Sequence, residues 1–159
     1  MGEVSRSIAD EGWRHARDRL NAAIGSGPGC GAPLNPNIPL GETLYWLSVI
    51  EDGEEQQDSN YHARRASSTD GQTVAALIFA RNLVTHQLVM PVELRVIGGF
   101  GTAAWGSVPW GGGSSWRWKT RAELGSPTDK HGRDTQYDVH VAGKVLGIPI
   151  EAAARFFAL

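Results

Sequence analysis

The sequence predicts a single all-α domain over residues 1–159: a bundle of four to five helices with a glycine- and tryptophan-rich insert that could form a small β-hairpin. Three observations favour this fold. A chain of 159 residues is long enough for one hydrophobic core and short for two. Several segments repeat apolar residues at helical spacing. Alternation of apolar and polar residues with a period of two, as in a β-strand, is confined to two short segments that flank the insert.

Composition and charge narrow the class of protein. Hydrophobic content of 41% and charged content of 20% are typical of a soluble globular domain. No apolar stretch approaches the roughly 18 residues of a membrane span, and the N-terminus lacks a signal-peptide pattern. Cys30 is the only cysteine, so a cytoplasmic protein without disulfides is expected. With a net charge of −2, any surface for a polyanion such as RNA would have to be local.

The N-terminal segment predicts an amphipathic helix that ends at Gly25. Ser7 and Asp10 have the spacing of a capping box at its start. The helix would bury one apolar stripe formed by Ile8, Trp13, Ala16, Leu20, Ala23 and Ile24. The segment 25–41 is so rich in glycine and proline that it predicts a long surface loop.

Two further helices are expected after this loop. Leu44, Leu47 and Ile50 predict a second helix that leaves the core near Glu51. The polar segment 58–71 would link it to the third helix and expose Arg64 and Arg65 to solvent.

The third helix is predicted to run from about Asp70 to Val89, before Pro91. It has two apolar stripes nearly opposite each other, so it belongs in the middle of a bundle.

The segments VELRV and SWRWK, residues 92–96 and 115–119, alternate and could pair as a hairpin across the insert. Trp116 and Trp118 alternate with Arg117 and Lys119 in this segment, and two interpretations stay open. The four residues could bind substrate, with the rings stacking on RNA bases, or the tryptophans could close the open side of the bundle. The C-terminal segment predicts a short helix, a turn and a closing helix begun at Pro149.

Arg81, Asn82 and His86 are unusual because they lie within the apolar third helix. Burying such groups costs free energy unless they are paired or used. Arg81 and His86 are five residues apart, about 140° around a helix of ~3.6 residues per turn, so a second copy of the helix could complete one site. The alternative is structural: Arg81 would pair with Glu51 or Glu54, and the other two would satisfy buried carbonyls.

The segment RNLVTH, from Arg81 to His86, resembles the signature of the HEPN superfamily, an arginine, a polar residue and a histidine near the end of a bundle helix. The resemblance implies a homodimer whose two motifs face a shared cleft and cut RNA without a metal or cofactor. Arg81 and His86 would be catalytic and Asn82 supporting. Such proteins include effectors of toxin–antitoxin and phage-defence systems, so an antitoxin protein is a candidate partner.

One residue departs from part of that family. HEPN toxins regulated by a nucleotidyltransferase antitoxin usually have tyrosine two residues after the histidine, as the site of AMP attachment, and this chain has Leu88. That mode of regulation is therefore not expected here. A second interpretation stays open, a non-catalytic HEPN-like module that binds RNA, a nucleotide or a protein partner. The remaining histidines show no metal-ligand spacing, so no metal site is predicted.

Overall fold

The computed structural model describes residues 6–25, 35–97 and 113–159. These residues form a mainly helical fold with a small antiparallel hairpin, which confirms the predicted fold class. The elements in chain order are α1 (Arg6–Gly25), α2 (Asn37–Gln57), α3 (Tyr61–Ser67), α4 (Thr69–Gln87), β1 (Val92–Ile97), β2 (Gly113–Trp118), α5 (Arg133–His140) and α6 (Gly147–Phe157). Within the described ranges, no helix is both long and apolar enough to cross a bilayer.

The central element is α4, as its two apolar stripes predict. It contacts α2, α3, α5 and α6, and every residue from Thr73 to Ala80 is buried. The helix begins where the Ser68 side chain accepts a hydrogen bond from the Gly71 N–H at 2.9 Å, the usual role of a serine N-cap. It ends at Leu88, whose backbone is left-handed with φ 54°.

Helices α1 and α2 form the most extensive helix pair, with Gly12 packed against the Trp46 ring. The core face of α1 is confirmed at Trp13 and Leu20, but Ile8 is 56% exposed and Ala9 is buried in its place. The predicted capping box is wrong, because the helix already includes Arg6. The Asp10 carboxylate accepts a hydrogen bond from Arg6 Nε at 2.6 Å instead.

The predicted loop 25–41 is too long at its C-terminal end, because α2 begins at Asn37. Pro39 is tolerated there since the first backbone N–H groups of a helix have no intrahelical partner. The first backbone hydrogen bond of the helix runs from the Leu40 N–H to the Pro36 carbonyl at 2.8 Å, one residue after Pro39. Residues 26–34, including Cys30, lie outside the described residues.

The predicted polar linker contains the short helix α3, which a buried ion pair attaches to α2. The second helix leaves the core near Glu51 as predicted, since Glu51 is its last buried residue and is only 5% exposed. Its carboxylate accepts hydrogen bonds from Arg65 and from the Tyr61 hydroxyl. Arg64 is exposed as predicted and pairs with the carboxylates of Glu54 and Asp58. Arg65 is half-buried beside Glu51, so the expectation of solvent exposure is wrong for Arg65 alone.

The hairpin forms as predicted, with Glu93 opposite Arg117 and Leu94 opposite Trp116. A bridge between Arg117 and Val145 adds the segment before α6 to the edge of β2. The closing helix begins at Gly147, two residues before the predicted start at Pro149. Residues 98–112 of the insert lie outside the described part of the chain.

Candidate functional site

The RNLVTH segment occupies the last two turns of α4, where the helix emerges from the core. Leu83 is buried at 1% exposure and holds this end of the helix against the bundle. Arg81 and Asn82 are half-buried, and His86 is exposed. The helix then stops because Leu88 adopts a left-handed conformation and donates its N–H to the Leu83 carbonyl. The three polar side chains therefore lie at the boundary between the core and solvent.

Arg81 is held by a neutral acceptor. Its Nη1 donates to Asn82 Oδ1 at 3.2 Å, and its carbonyl accepts a bond from Thr85 Oγ1 at 2.9 Å. Within the described residues, no carboxylate lies within 4.0 Å of its guanidinium. Since an amide oxygen carries no net charge, this hydrogen bond does not neutralise the guanidinium.

Neither predicted structural partner of Arg81 is used. Glu51 pairs with Arg65, and Glu54 pairs with Arg6 and Arg64. An acidic residue that interacts electrostatically with Arg81 is Asp52 on α2. Burial raises the pKa of the Asp52 carboxyl, and the Arg81 charge acts in the opposite direction.

His86 has a free imidazole within the described part of the chain: its ring makes no hydrogen bond or ion pair there, and it is exposed to solvent. A core histidine that satisfies buried carbonyls would be enclosed and bonded. Imidazole in general can both accept and donate a proton near neutral pH. The side chain is therefore accessible to a bound molecule.

One chain alone does not bring Arg81 and His86 into contact. No bond joins their side chains, in keeping with the angle of about 140° that separates them around a helix of ~3.6 residues per turn. Asn82 is bonded to Arg81 and not to His86. The arrangement places a half-buried guanidinium and an exposed imidazole at one helix end.

The hairpin residues predicted to bind substrate fall into two groups. Trp118 is 0% exposed, its Nε1 donates to the Leu146 carbonyl at 3.1 Å, and its ring meets Tyr137 edge-on. Its ring faces are covered, so for Trp118 the structure favours the interpretation that it closes the bundle. Trp116 is half-buried and packs on the same core. Arg117 and Lys119 are partly exposed on the other side of the strand.

An open depression lies at the opposite end of α4 from His86. Its arginines are already neutralised, because Arg64 pairs with Glu54 and Arg155 with Asp70. This surface is therefore a poor match for an anionic ligand. The residues that line it are Arg64, Ser67, Ser68, Thr69, Asp70, Arg155 and Phe156.

Comparisons of the chain with protein-family models, with curated proteins and with solved structures find no match. Among the described residues, no cluster of three or more histidine, cysteine, aspartate or glutamate side chains could hold a metal ion. The resemblance to HEPN proteins thus rests on the six-residue motif and its position on the helix.

Sequence reasoning did not single out Asp52 or Thr85 at this site. Thr85 lies between the motif residues and could have been noticed because threonine near a helix end often bonds a carbonyl four residues earlier. Asp52 gave no such signal, since its proximity to Arg81 depends on how α2 packs on α4.

Proposed function

We propose that the protein is a metal-independent endoribonuclease of HEPN type that acts as a homodimer, with Arg81 and His86 catalytic and Asn82 supporting. One observation carries the proposal. Arg81 is held by a neutral amide and His86 is unbonded and exposed within the described residues, at the predicted spacing on one helix end. If these residues were only structural, carboxylates and carbonyls of the same chain would be expected to enclose them.

The reaction that suits these groups is attack of a ribose 2′-hydroxyl on the neighbouring phosphorus. The 2′-oxygen forms a bond to phosphorus, the bond from phosphorus to the 5′-oxygen breaks, and the products are a 2′,3′-cyclic phosphate and a 5′-hydroxyl. His86 would take the proton from the 2′-hydroxyl or give one to the leaving oxygen. Arg81 would bind the phosphate as its negative charge increases.

A second copy of the chain supplies what one chain lacks. General acid–base cleavage needs two proton-transfer groups, one on each side of the phosphate, and each chain contributes one histidine to the motif. A two-fold axis beside the end of α4 would place Arg81 and His86 of both copies around one cleft. An effector of a toxin–antitoxin or phage-defence system, controlled by an antitoxin protein, is the biological setting that the proposal favours.

The test is incubation of the purified protein with mixed cellular RNA in excess EDTA, beside His86→Ala. His86→Gln is the second variant, because it keeps a polar side chain of similar size at this exposed position. Circular dichroism and sedimentation establish that all three proteins are folded and in the same oligomeric state. Fragment ends are then analysed for cyclic phosphate.

Cleavage by the parent alone, leaving 2′,3′-cyclic phosphates, supports the proposal and the role of His86. Equal cleavage by parent and variants would mean a contaminating nuclease or a different site. Absence of cleavage by a folded dimer would overturn the enzymatic proposal and favour the non-catalytic binding module.

A further inference from the structure

The arginines of this protein differ in what neutralises them. Most of them face a carboxylate of the described residues within 4.0 Å: Arg6, Arg17, Arg19, Arg64, Arg65, Arg95, Arg121, Arg133 and Arg155. Within the same residues the exceptions are Arg14, Arg81 and Arg117. Arg14 is exposed to solvent, whereas Arg81 and Arg117 are half-buried and each is held by neutral oxygens.

The guanidinium of Arg117 is fixed in place without losing its charge. Nη1 donates to the Gly143 carbonyl at 3.0 Å, and Nε donates to Ser115 Oγ at 3.3 Å. Glu93 is opposite Arg117 in the register but makes no ion pair with it, and its carboxylate accepts from Arg95. A positioned guanidinium with unused N–H groups is well suited to a phosphate.

Lys119 lies on the same side of the strand as Arg117. Side chains two residues apart in an extended segment face the same way, and Trp118 between them points into the core. The Lys119 N–H donates to the Pro91 carbonyl at 2.8 Å, which continues the pairing beyond β2. Within the described ranges, the Lys119 side chain has no carboxylate within 4.0 Å.

The hairpin is attached directly to the end of the motif helix. Pro91, bonded to Lys119, follows His86 by five residues, a length that spans at most about 18 Å when fully extended. Successive phosphates of a single strand could therefore extend from the end of α4 to the outer face of the hairpin.

We propose that Arg117 and Lys119 form a second phosphate-binding position, which binds the backbone of a single-stranded RNA away from the bond that is cut. This inference rests on the proposed function for its choice of RNA as the ligand. Binding is through phosphates and not through base stacking at Trp118, whose ring is buried. The hairpin thereby adds affinity without reading base identity.

The experiment measures binding of a fluorescein-labelled 12-nucleotide RNA by anisotropy in EDTA, in the uncleaving His86→Ala background, over a range of salt concentrations. The site variant is Arg117→Gln with Lys119→Gln. The matched control, Arg14→Gln with Lys130→Gln, removes the same charge from two exposed positions without carboxylate partners in the described chain. Lys119→Gln alone is added because it disturbs no side-chain hydrogen bond there.

Each phosphate contact on a single strand contributes about 0.7 to the slope of log affinity against log salt. The double site variant should therefore lower the slope by about 1.4, equivalent to roughly 25-fold weaker binding at 0.1 M salt if the contacts vanish at 1 M. Lys119→Gln should lower it by about 0.7. The control pair of substitutions should change neither the salt slope nor the affinity at 0.1 M salt by a measurable amount.

Equal losses in the site and control variants would overturn the inference, as would absence of RNA binding in every protein. Its failure is distinguishable from failure of the proposed function. If a parent that cleaves RNA is unaffected by the site variants, only the second position is wrong. If binding depends on Arg117 and Lys119 but the parent with His86 intact does not cleave, the enzymatic proposal alone is wrong.

Discussion

At its N-terminal end α4 is capped by Ser68 and tied to α6 by the ion pair between Asp70 and Arg155, whereas its C-terminal end has few such contacts. Gln72, one turn in, accepts a hydrogen bond at its Oε1 from Nε2 of the buried His140 ring at 2.9 Å. At the other end, His86 has no bonded partner among the described residues and Leu88 is 86% exposed. The difference indicates that one end of the helix stabilises the fold and the other is available for binding.

The strongest test of this contrast replaces one arginine near each end of α4 with glutamine. Arg81→Gln should lower the RNA cleavage rate about 100-fold or more, as expected when a donor to developing negative charge is lost, with little change in stability. Arg155→Gln removes an exposed, solvent-screened ion pair and should change stability little and leave cleavage unchanged. Rates and urea denaturation of both variants are the measurements. If Arg81→Gln unfolded much of the protein while the folded fraction cleaved RNA normally, Arg81 would be a stabilising residue and the C-terminal end of α4 would not be the binding end.

Glycine substitutions test the packing of the N-terminal end. A Cβ at Gly71 would collide with the backbone of Arg65, which cannot move as a flexible side chain would. Gly71→Ala should therefore destabilise the protein by about 1–3 kcal/mol, despite the better helix propensity of alanine. Gly53→Ala in α2 is the control, since nothing lies near the added atom, and should stabilise by about 0.5–1 kcal/mol. If the urea midpoint shifted in the same direction in both variants, this explanation would be contradicted.

His140 makes the same end sensitive to acid. Burial lowers the pKa of the His140 ring, and the nearby charge of Lys144 adds to this. Since the unfolded chain takes up this proton at a higher pH than the folded one, the stabilisation is complete above the ordinary histidine range. It begins to be lost as the pH falls below about 6.5 and is lost completely below the lowered pKa of the folded ring.

The free energy of unfolding should therefore decrease from pH 7.5 to pH 5.5, with a slope for this group of at most about 1.4 kcal/mol per pH unit. His140→Gln should flatten that part of the profile, whereas His131→Gln, at an exposed position, should not. Identical profiles for the parent and His140→Gln would show that other groups cause the acid sensitivity.

The smallest effect is expected at the C-terminal cap. Leu88 has a left-handed backbone, which costs a non-glycine residue about 1–2 kcal/mol, and its exposed side chain gains little from burial. Leu88→Gly should raise the free energy of unfolding by about 0.5–1 kcal/mol after the entropy of glycine in the unfolded chain is subtracted. Ala158→Gly, at the similar cap of α6, is the comparison. A loss of stability that appears for Leu88→Gly only at high protein concentration would mean that Leu88 is buried against a second copy.

Sequence periodicity predicted the elements whose core faces are regular. The core helix α4 was predictable because its apolar residues pack against several neighbouring helices. The alternation in β1 and β2 was predictable because Val92 and Trp118, paired in the register, are buried. The start of α2 was not predictable in this way, because Pro39 falls in the first turn of the helix, where proline removes no hydrogen bond. Helix α3 was missed for another reason: its polar sequence is held by Arg65 and Tyr61 contacts to Glu51, which depend on the tertiary structure.

For the candidate site, the sequence predicted the three motif residues and their spacing but not their surroundings. Alternation predicted that Trp116 and Trp118 share a side of the strand, yet not whether that side faces RNA or the core. The burial of Trp118 depends on residues 143–146, which are distant in the chain. The absence of a carboxylate beside Arg81 in the described structure likewise depends on which acidic residues other arginines have already paired with.

The two ends of the hairpin should differ in how fast their amide hydrogens exchange with solvent. The Trp118 N–H donates to the Lys144 carbonyl, its own carbonyl accepts from the Gly143 N–H, and its indole bonds Leu146. Releasing that amide requires separation of the segment before α6 from the hairpin, so it should exchange only through large-scale unfolding. The Ser115 amide is beyond this connection and should exchange through smaller local openings. The protein would then have slowly exchanging amides around Trp118, where the segment before α6 joins the hairpin. The part of the hairpin near Ser115 would open without unfolding that centre.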